Sequence, residues 1–315
     1  MTYQIGNIIT ATDTNTFLTS VRNLYGVGNT DRGYGQTAYA LTALTAGEKI
    51  TSAQLSDFRD ALEVLTLSQT GTTPAGLPPS GVFDAGDLIE AHESDAPTSD
   101  AYDLDTVISD ADTNRLTAFS LSTGSVSGTS IDTRVGTWGS SSGGIELVFD
   151  VTWPTTDEAR YFFNSGGQIR IALSHPTGTS QDNDWNTSLS TRVGQIRFGA
   201  HSTVMQGSLG FSAALGYYEM SSSIQTIYSD LVVGSSPYGA NTLRLQYIAI
   251  GSAANGGPGN GIRFTIRLTD GHTSAFSDSV SAGTAATFSY AKNSYLSSPT
   301  ITTPTGAVNS AWTVV

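Results

Sequence analysis

From Gly144 onward, apolar side chains return at every second residue, and that period limits what the chain can fold into more than any other feature. In Ile145-Glu146-Leu147-Val148-Phe149-Asp150-Val151-Thr152-Trp153 every odd position is apolar, the pattern of a strand with one buried face. Gln168 to Leu173 repeats it with Ile169, Ile171 and Leu173, and Gln195 to Phe198 with Ile196 and Phe198. Leu243 to Ile250 puts Leu243, Leu245 and Tyr247 on one face; Ile262 to Leu268 does the same with Ile262, Phe264, Ile266 and Leu268. Arg170, Arg197, Arg244, Arg263 and Arg267 fall on the opposite faces. Turns rich in Gly, Ser, Asn and Pro separate these runs, and no helical pattern intervenes. The reading is an antiparallel β-sandwich or jelly-roll-like domain over 144–315. The 43 Thr, 40 Ser and 34 Gly, against only 13% charged residues, favour short strands over long helices.

The front of the chain follows another rule. Gly6-Asn7-Ile8-Ile9-Thr10-Ala11-Thr12-Asp13 leads to Phe17, Val21 and Leu24, and Gly47-Glu48-Lys49-Ile50-Thr51-Ser52-Ala53-Gln54 leads to Phe58, Leu62 and Leu65. In both copies a Thr precedes an acceptor by three residues, Thr10 with Asp13 and Thr51 with Gln54, the spacing of a capping box at a helix start. Each copy therefore reads as a glycine turn and a helix of about 12 residues, and the two helices are expected to pack on each other or on those of neighbouring chains. This small α-helical N-terminal region, 1–82, is assigned to docking and oligomerisation. Between Asp84 and Asp112 lie ten carboxylates and no Lys or Arg, so 83–143 reads as an acidic, then Ser/Gly-rich, connector. Asp110-Ala111-Asp112 opens like a calcium loop, but Arg115 stands where the sharp turn needs glycine. The overall class is mostly β.

Charge and composition remove several functions. The net charge is −13, and residues 1–120 carry 16 acidic and 5 basic side chains, so binding to a nucleic-acid backbone is not expected. With no cysteine there is neither a disulfide framework nor a thiolate ligand. Met1-Thr2-Tyr3-Gln4-Ile5 lacks the features of a secretory signal, and no apolar run reaches the length of a membrane span, so synthesis in a cytoplasm without membrane insertion is expected. His92, His175, His201 and His272 are scattered and read as loop or surface residues; no metal and no cofactor is expected. Gly139-Ser140-Ser141-Ser142-Gly143 matches G-x-S-x-G in letters only, because an alternating strand follows it rather than a helix. Gly256-Gly257-Pro258-Gly259-Asn260-Gly261 reads as a hairpin loop. The carboxylate pairs Asp157/Glu158 and Asp182/Asp184 stand beside Trp153 and Trp185, where a glycan-cleaving acid pair would profit from aromatic neighbours. No catalytic residue is assigned.

Two sets of residues carry a family resemblance that extends over most of residues 5–280, with later pieces at Asp182-Asn183-Asp184-Trp185, Gly216-Tyr217-Tyr218, Asn255-Gly256-Gly257 with Ile262-Arg263-Phe264, and Asp270-Gly271-His272. The Gly-x-x-Ile-Thr helix, Gly33-Tyr34-Gly35-Gln36, the second Ile50-Thr51 copy and Ser68-Gln69-Thr70-Gly71 resemble virion structural proteins of tailed bacteriophages, cyanophages included. Trp153-Pro154, followed by Arg160-Tyr161-Phe162-Phe163-Asn164-Ser165-Gly166-Gly167, is similar to a segment of the same kind of protein and is the most specific part. The resemblance implies a non-enzymatic structural protein of the virion, a fibre or appendage at the neck, tail or baseplate, assembled as a homotrimer. Its partners would be copies of itself, other virion proteins met through the N-terminal region, and the host surface. The alternative is a carbohydrate-binding attachment module in which Trp185, Tyr217, Tyr218 and Tyr238 stack on host glycan; a glycan depolymerase is a third reading.

Overall fold

A computed structural model describes residues 11–26, 33–36, 41–46, 48, 50–81, 104–139, 143–232, 238–271, 279–296 and 301–315. Among these the chain is mostly β, with its strands in two sheets. The chain divides into two units, each drawn from separate stretches. The first takes Met1–Leu121, Arg160–Gly166 and Asn293–Ile301; the second takes Ser122–Ala159, Gly167–Lys292 and Thr302–Val315.

The first unit contains α1 (Ala11–Tyr25), α2 (Ser52–Thr70) and α3 (Leu104–Thr113). The capping box expected at the second repeat is present. Thr51 Oγ1 accepts the Gln54 amide at 3.2 Å, and the Gln54 side chain accepts the Thr51 amide at 2.9 Å, which satisfies two orphan donors of the helix start. Gly71 ends α2 in the left-handed conformation, its N–H donating to Leu67 O. The equivalent cap at Thr10 lies outside the described residues. Both helices exceed the expected 12 residues, and they pack on each other: Phe17 and Phe58, the matching positions of the two repeats, meet edge to face at 6.4 Å, while Val21, Leu24, Leu62 and Leu65 are buried. Such an edge-on aromatic pair adds roughly 1 kcal/mol beyond its burial.

A connector is expected over 83–143, yet residues 104–133 are built into the fold. Val107 and Ala111, four apart, bury one face of α3, and residues 121–133 supply three strands. The density of carboxylates conceals this helix in the sequence, because Asp105, Asp110 and Asp112 occupy its other faces. Residues 82–103 lie outside the described residues.

The second unit holds the strands. In chain order these are β1 (Leu121–Ser125), β2 (Ser127–Gly128), β3 (Ile131–Thr133), β4 (Gly144–Thr152), β5 (Gln168–Ser174), β6 (Gln195–Phe198), β7 (Thr203–Met205), β8 (Ser212–Ala213), β9 (Gln225–Leu231), β10 (Thr242–Ile250), β11 (Gly261–Thr269), β12 (Ala285–Asn293) and β13 (Thr305–Val314). One sheet runs β1-β12-β5-β6-β7-β8, with β3 also on β12; the other runs β2-β13-β4-β11-β10-β9. The alternation read from sequence is the alternation observed. Ile145, Leu147, Phe149 and Val151 are fully buried, as are Ile262, Phe264, Ile266 and Leu268. Rings from one sheet meet rings from the other: Phe149 of β4 stacks on Phe288 of β12 at 3.7 Å, and Phe198 of β6 meets Phe264 of β11 at 5.3 Å. The glycine-rich loop after β10 closes the β10–β11 hairpin, as expected.

Two further helices interrupt the strands. The segment after Pro154 forms α4 (Thr156–Asn164), which carries Tyr161, Phe162 and Phe163 within it; Phe162 and Phe163 are fully buried. α5 (Ser180–Thr187) starts on a second capping box, Thr179 with Asp182, and runs into a π-helical segment, Ser188–Val193.

Candidate functional site

Three of the segments that carry the resemblance, 33–36, 68–71 and Arg160–Gly166, meet within the first unit, while Trp153-Pro154 and the later pieces from Asp182 to Asp270 belong to the second. Main-chain bonds set Gly33–Gln36 against the end of α1: Tyr34 N donates to Leu24 O at 3.0 Å, Gly35 N to Gly26 O at 2.7 Å and Gln36 N to Tyr25 O at 3.0 Å. Tyr34 is fully buried, and its hydroxyl donates to Arg115 O and accepts Gln69 Nε2 at 2.8 Å. Burial pushes the pKa of this phenol upward, so it stays protonated and can donate. Gln69 Nε2 also reaches Ala111 O at 2.9 Å, tying α2 to α3.

Arg160–Gly166 enters the same assembly. Asn164, fully buried, donates from Nδ2 to Gly33 O at 2.9 Å. The Tyr161 ring lies on Gly35, where a Cβ would stand 2.3 Å from the ring and where φ is +71°. Only glycine allows both the backbone and the close approach at that point. Arg160, 2% exposed, sits over the Tyr161 ring with Cζ 4.9 Å from the centroid. Gly166, at φ +79°, ends the segment against Ala118. Gly167 begins the return to β5 in the second unit, where Trp153 is also buried, its main chain paired with Asn260.

The four aromatic residues nominated for glycan contact do not form one surface. Trp185 and Tyr217 are fully buried and Tyr238 is 6% exposed, so their ring faces are closed to a sugar. Trp185 belongs to α5 rather than to a loop and packs on Trp138 at 5.0 Å; Tyr217 donates to Gly259 O at 2.9 Å. Tyr218 alone is half-exposed. It borders a groove of about 440 Å³ walled by Ala253–Pro258. The His201 ring stacks on it at 5.0 Å, and Glu219 anchors His201 Nδ1 at 2.6 Å. On the same loop Asn255, the one non-glycine residue with positive φ among the described residues, donates Nδ2 to both carboxylate oxygens of Asp157 at 3.1 Å.

The remaining polar candidates have structural partners. His175 lies in the loop after β5, as expected, but is only 2% exposed. The Asp182 carboxylate can only accept, so His175 Nε2 carries the proton toward it at 3.0 Å and Nδ1 accepts from the Thr284 hydroxyl at 2.9 Å, while Thr284 Oγ1 accepts Trp138 Nε1. Burial lowers the His175 pKa, and burial alone would raise that of Asp182. The amides of Ser281 and Thr179, the His175 ring and the Ser281 hydroxyl outweigh it and hold the carboxyl well below its usual range. This acid, imidazole and hydroxyl series resembles a catalytic relay in chemistry, but Thr284 is fully buried and the series fastens the start of α5. The Thr179-to-Asp182 spacing is the signal that would have located it. Glu158 caps the start of α4 through the Thr155 amide at 3.1 Å, and Asp184 accepts Asn241 Nδ2 at 3.4 Å. Ser140–Ser142, His92 and His272 lie outside the described residues. Among the described residues no group of three or more acidic or histidine side chains is placed to hold a metal, and no helix is long and apolar enough to cross a membrane.

Comparison with family models, with curated proteins and with solved structures finds no match to this chain.

Proposed function

We propose that the chain is a structural component of a tailed-phage virion, a homo-oligomeric appendage protein of the neck, tail or baseplate, trimeric by analogy with fibres of that kind. In this reading the first unit docks on other virion proteins, and the second is a two-layer β-sandwich displayed outward; no reaction is assigned to it. One observation supports it above the rest. Gly33–Gln36, Ser68–Gly71 and Arg160–Gly166 carry the resemblance from three distant parts of the chain, and all three belong to one buried network through Tyr34–Gln69, Asn164–Gly33 and Tyr161–Gly35. Their meeting in one buried network supports reading the three segments as parts of a single docking unit. Gel filtration with light scattering tests the assembly. The full chain is expected at three times its 32.9 kDa mass, and a stable monomer at high concentration contradicts the reading.

The half-exposed Tyr218 beside its groove favours a second role, contact with host glycan. Tyr218→Ala is expected to abolish signal on a glycan array while leaving the assembly mass unchanged. No wild-type signal on any host polysaccharide removes this role.

A further inference from the structure

The outer face of the β1-β12-β5-β6-β7-β8 sheet places two arginines directly opposite each other. Arg170 of β5 pairs with Arg197 of β6 in register, which sets their Cβ atoms about 5 Å apart. Like charges so placed repel, and sheets ordinarily avoid the arrangement or neutralise it. Among the described residues no carboxylate lies within ion-pair distance of either guanidinium, and Asp132, the one acid within the strands of this sheet, is turned toward Trp312, whose amide it accepts at 3.0 Å. Arg197 Nε donates to Gln195 Oε1 at 3.1 Å and Arg170 Nη2 to Gln168 Oε1 at 3.5 Å. Each guanidinium has five N–H donors, so most of its capacity is uncommitted; Arg170 Nε is buried, and the terminal amino groups of the fork are the ones left for a ligand. The neighbouring positions in register are Ser289, Thr287 and Ala172, with Val204 beyond Arg197.

The other sheet shows what a compensated face looks like. There Arg263 grips both oxygens of Asp150 at 2.8 Å; Arg244 and Arg267 also stand opposite each other in register, but Glu146 lies opposite Arg267 on the next strand and accepts Arg244 Nη2 at 3.3 Å. The same fold therefore places carboxylates among the arginines of one outer face and, among the described residues, none beside the two adjacent ones of the other, in a chain of net charge −13.

We propose that Arg170 and Arg197 form a binding site for the carboxylate groups of an acidic polysaccharide, a uronate-bearing chain lying across β5 and β6. Two planar forks facing one carboxylate satisfy the donors that the protein leaves open and turn the mutual repulsion into attraction for the ligand. Gln168 and Gln195, already holding the guanidiniums, present amide N–H groups to sugar hydroxyls. An acidic protein partner fits less well, because stable protein interfaces rest on desolvated aromatic or aliphatic anchors and this face offers hydroxyls, amides, one alanine and one valine. The inference does not depend on the virion reading.

The test uses the full chain in titrations at physiological salt with three probes: polygalacturonate, its methyl ester and poly-L-glutamate. Polygalacturonate is expected to bind and the uncharged ester not to. Arg170→Gln with Arg197→Gln is expected to weaken binding by about tenfold or more, since charge-assisted bonds are lost, whereas Arg267→Gln on the other sheet changes it by less than about twofold. Arg197→Lys, which keeps the charge and loses the fork, is expected to fall between them. Thermal unfolding of each variant separates loss of the site from loss of the fold. Absence of polygalacturonate binding by the wild type, retention of it by the double variant, or equal binding of the ester or of poly-L-glutamate would overturn the proposal.

Discussion

The two units are fastened by different means. In the first, polar side chains reach main-chain atoms: Asn164 to Gly33, Gln69 to Ala111, Tyr34 to Arg115. In the second, rings and branched side chains from alternating strands fill the space between sheets, with Phe149 on Phe288 and Phe198 on Phe264. Apolar packing is non-directional and tolerates exchange among side chains of like volume. A hydrogen bond to one particular carbonyl has no near substitute, and the loss of one partner strands the other. The polar network of the first unit is thus defined residue by residue, and the core between the sheets of the second by pattern and volume.

Substitutions can break or sharpen this contrast. The largest effect is expected from Phe288→Ala, which empties the centre of the ring stack and costs roughly 3–5 kcal/mol in denaturant unfolding, whereas Phe288→Leu keeps most of the volume and costs far less. Gly35→Ala follows. Its Cβ would enter the Tyr161 ring and its backbone is left-handed, so a loss of about 2 kcal/mol or more is expected from a single methyl group, read as faster amide exchange in α1 and α2. Asn164→Ala is expected to cost about 1–3 kcal/mol through the stranded Gly33 carbonyl, and Asn164→Asp not to rescue it, because a carboxylate cannot donate.

The second unit also holds buried polar bonds, the His175–Asp182 series among them, and pH probes that one. Burial lowers the folded pKa of His175, so the unfolded chain takes up that proton first and stability falls as pH drops below about 6.5. The pKa of Asp182 is also lowered; its contribution is complete above about pH 4 and is lost as pH falls further. Replacing His175 with Gln is expected to remove the first decline and leave the second, as followed by thermal melts across that range. The smallest effects belong to the outer faces. Arg197→Gln relieves repulsion and is expected to raise stability by a few tenths of a kcal/mol, while Arg263→Gln breaks a bidentate pair and is expected to lower it by up to about 1 kcal/mol.

The same contrast governs what could be read from the sequence. Strands β4, β5, β6, β10 and β11 were legible because each buries one face and so alternates strictly. β13 was not, since only Trp312 is buried along its length, and β7 and β8 are too short to display a period. The α2 cap was legible from four residues. α3 was hidden by its own carboxylates, and the contact of Asn164 with Gly33 could not be read at all, because it joins residues 131 positions apart with no periodic signal between them. Among the nominated aromatics, residue type announced the payload of the side chain but not its surroundings; Trp185 and Tyr217 are core residues. The paired arginines were visible as polar positions on two strands. Their opposition depends on register, which the strand patterns alone leave open.

The central proposal, a virion appendage mounted through its first unit, is tested most directly by cryo-electron microscopy of purified particles. The account predicts density for this chain at a neck, tail or baseplate appendage, in copies related by the appendage axis, with the α1–α2 unit toward the particle and the β unit outward. Particles that lack the chain, or that carry it with the β unit against the virion body, would contradict it.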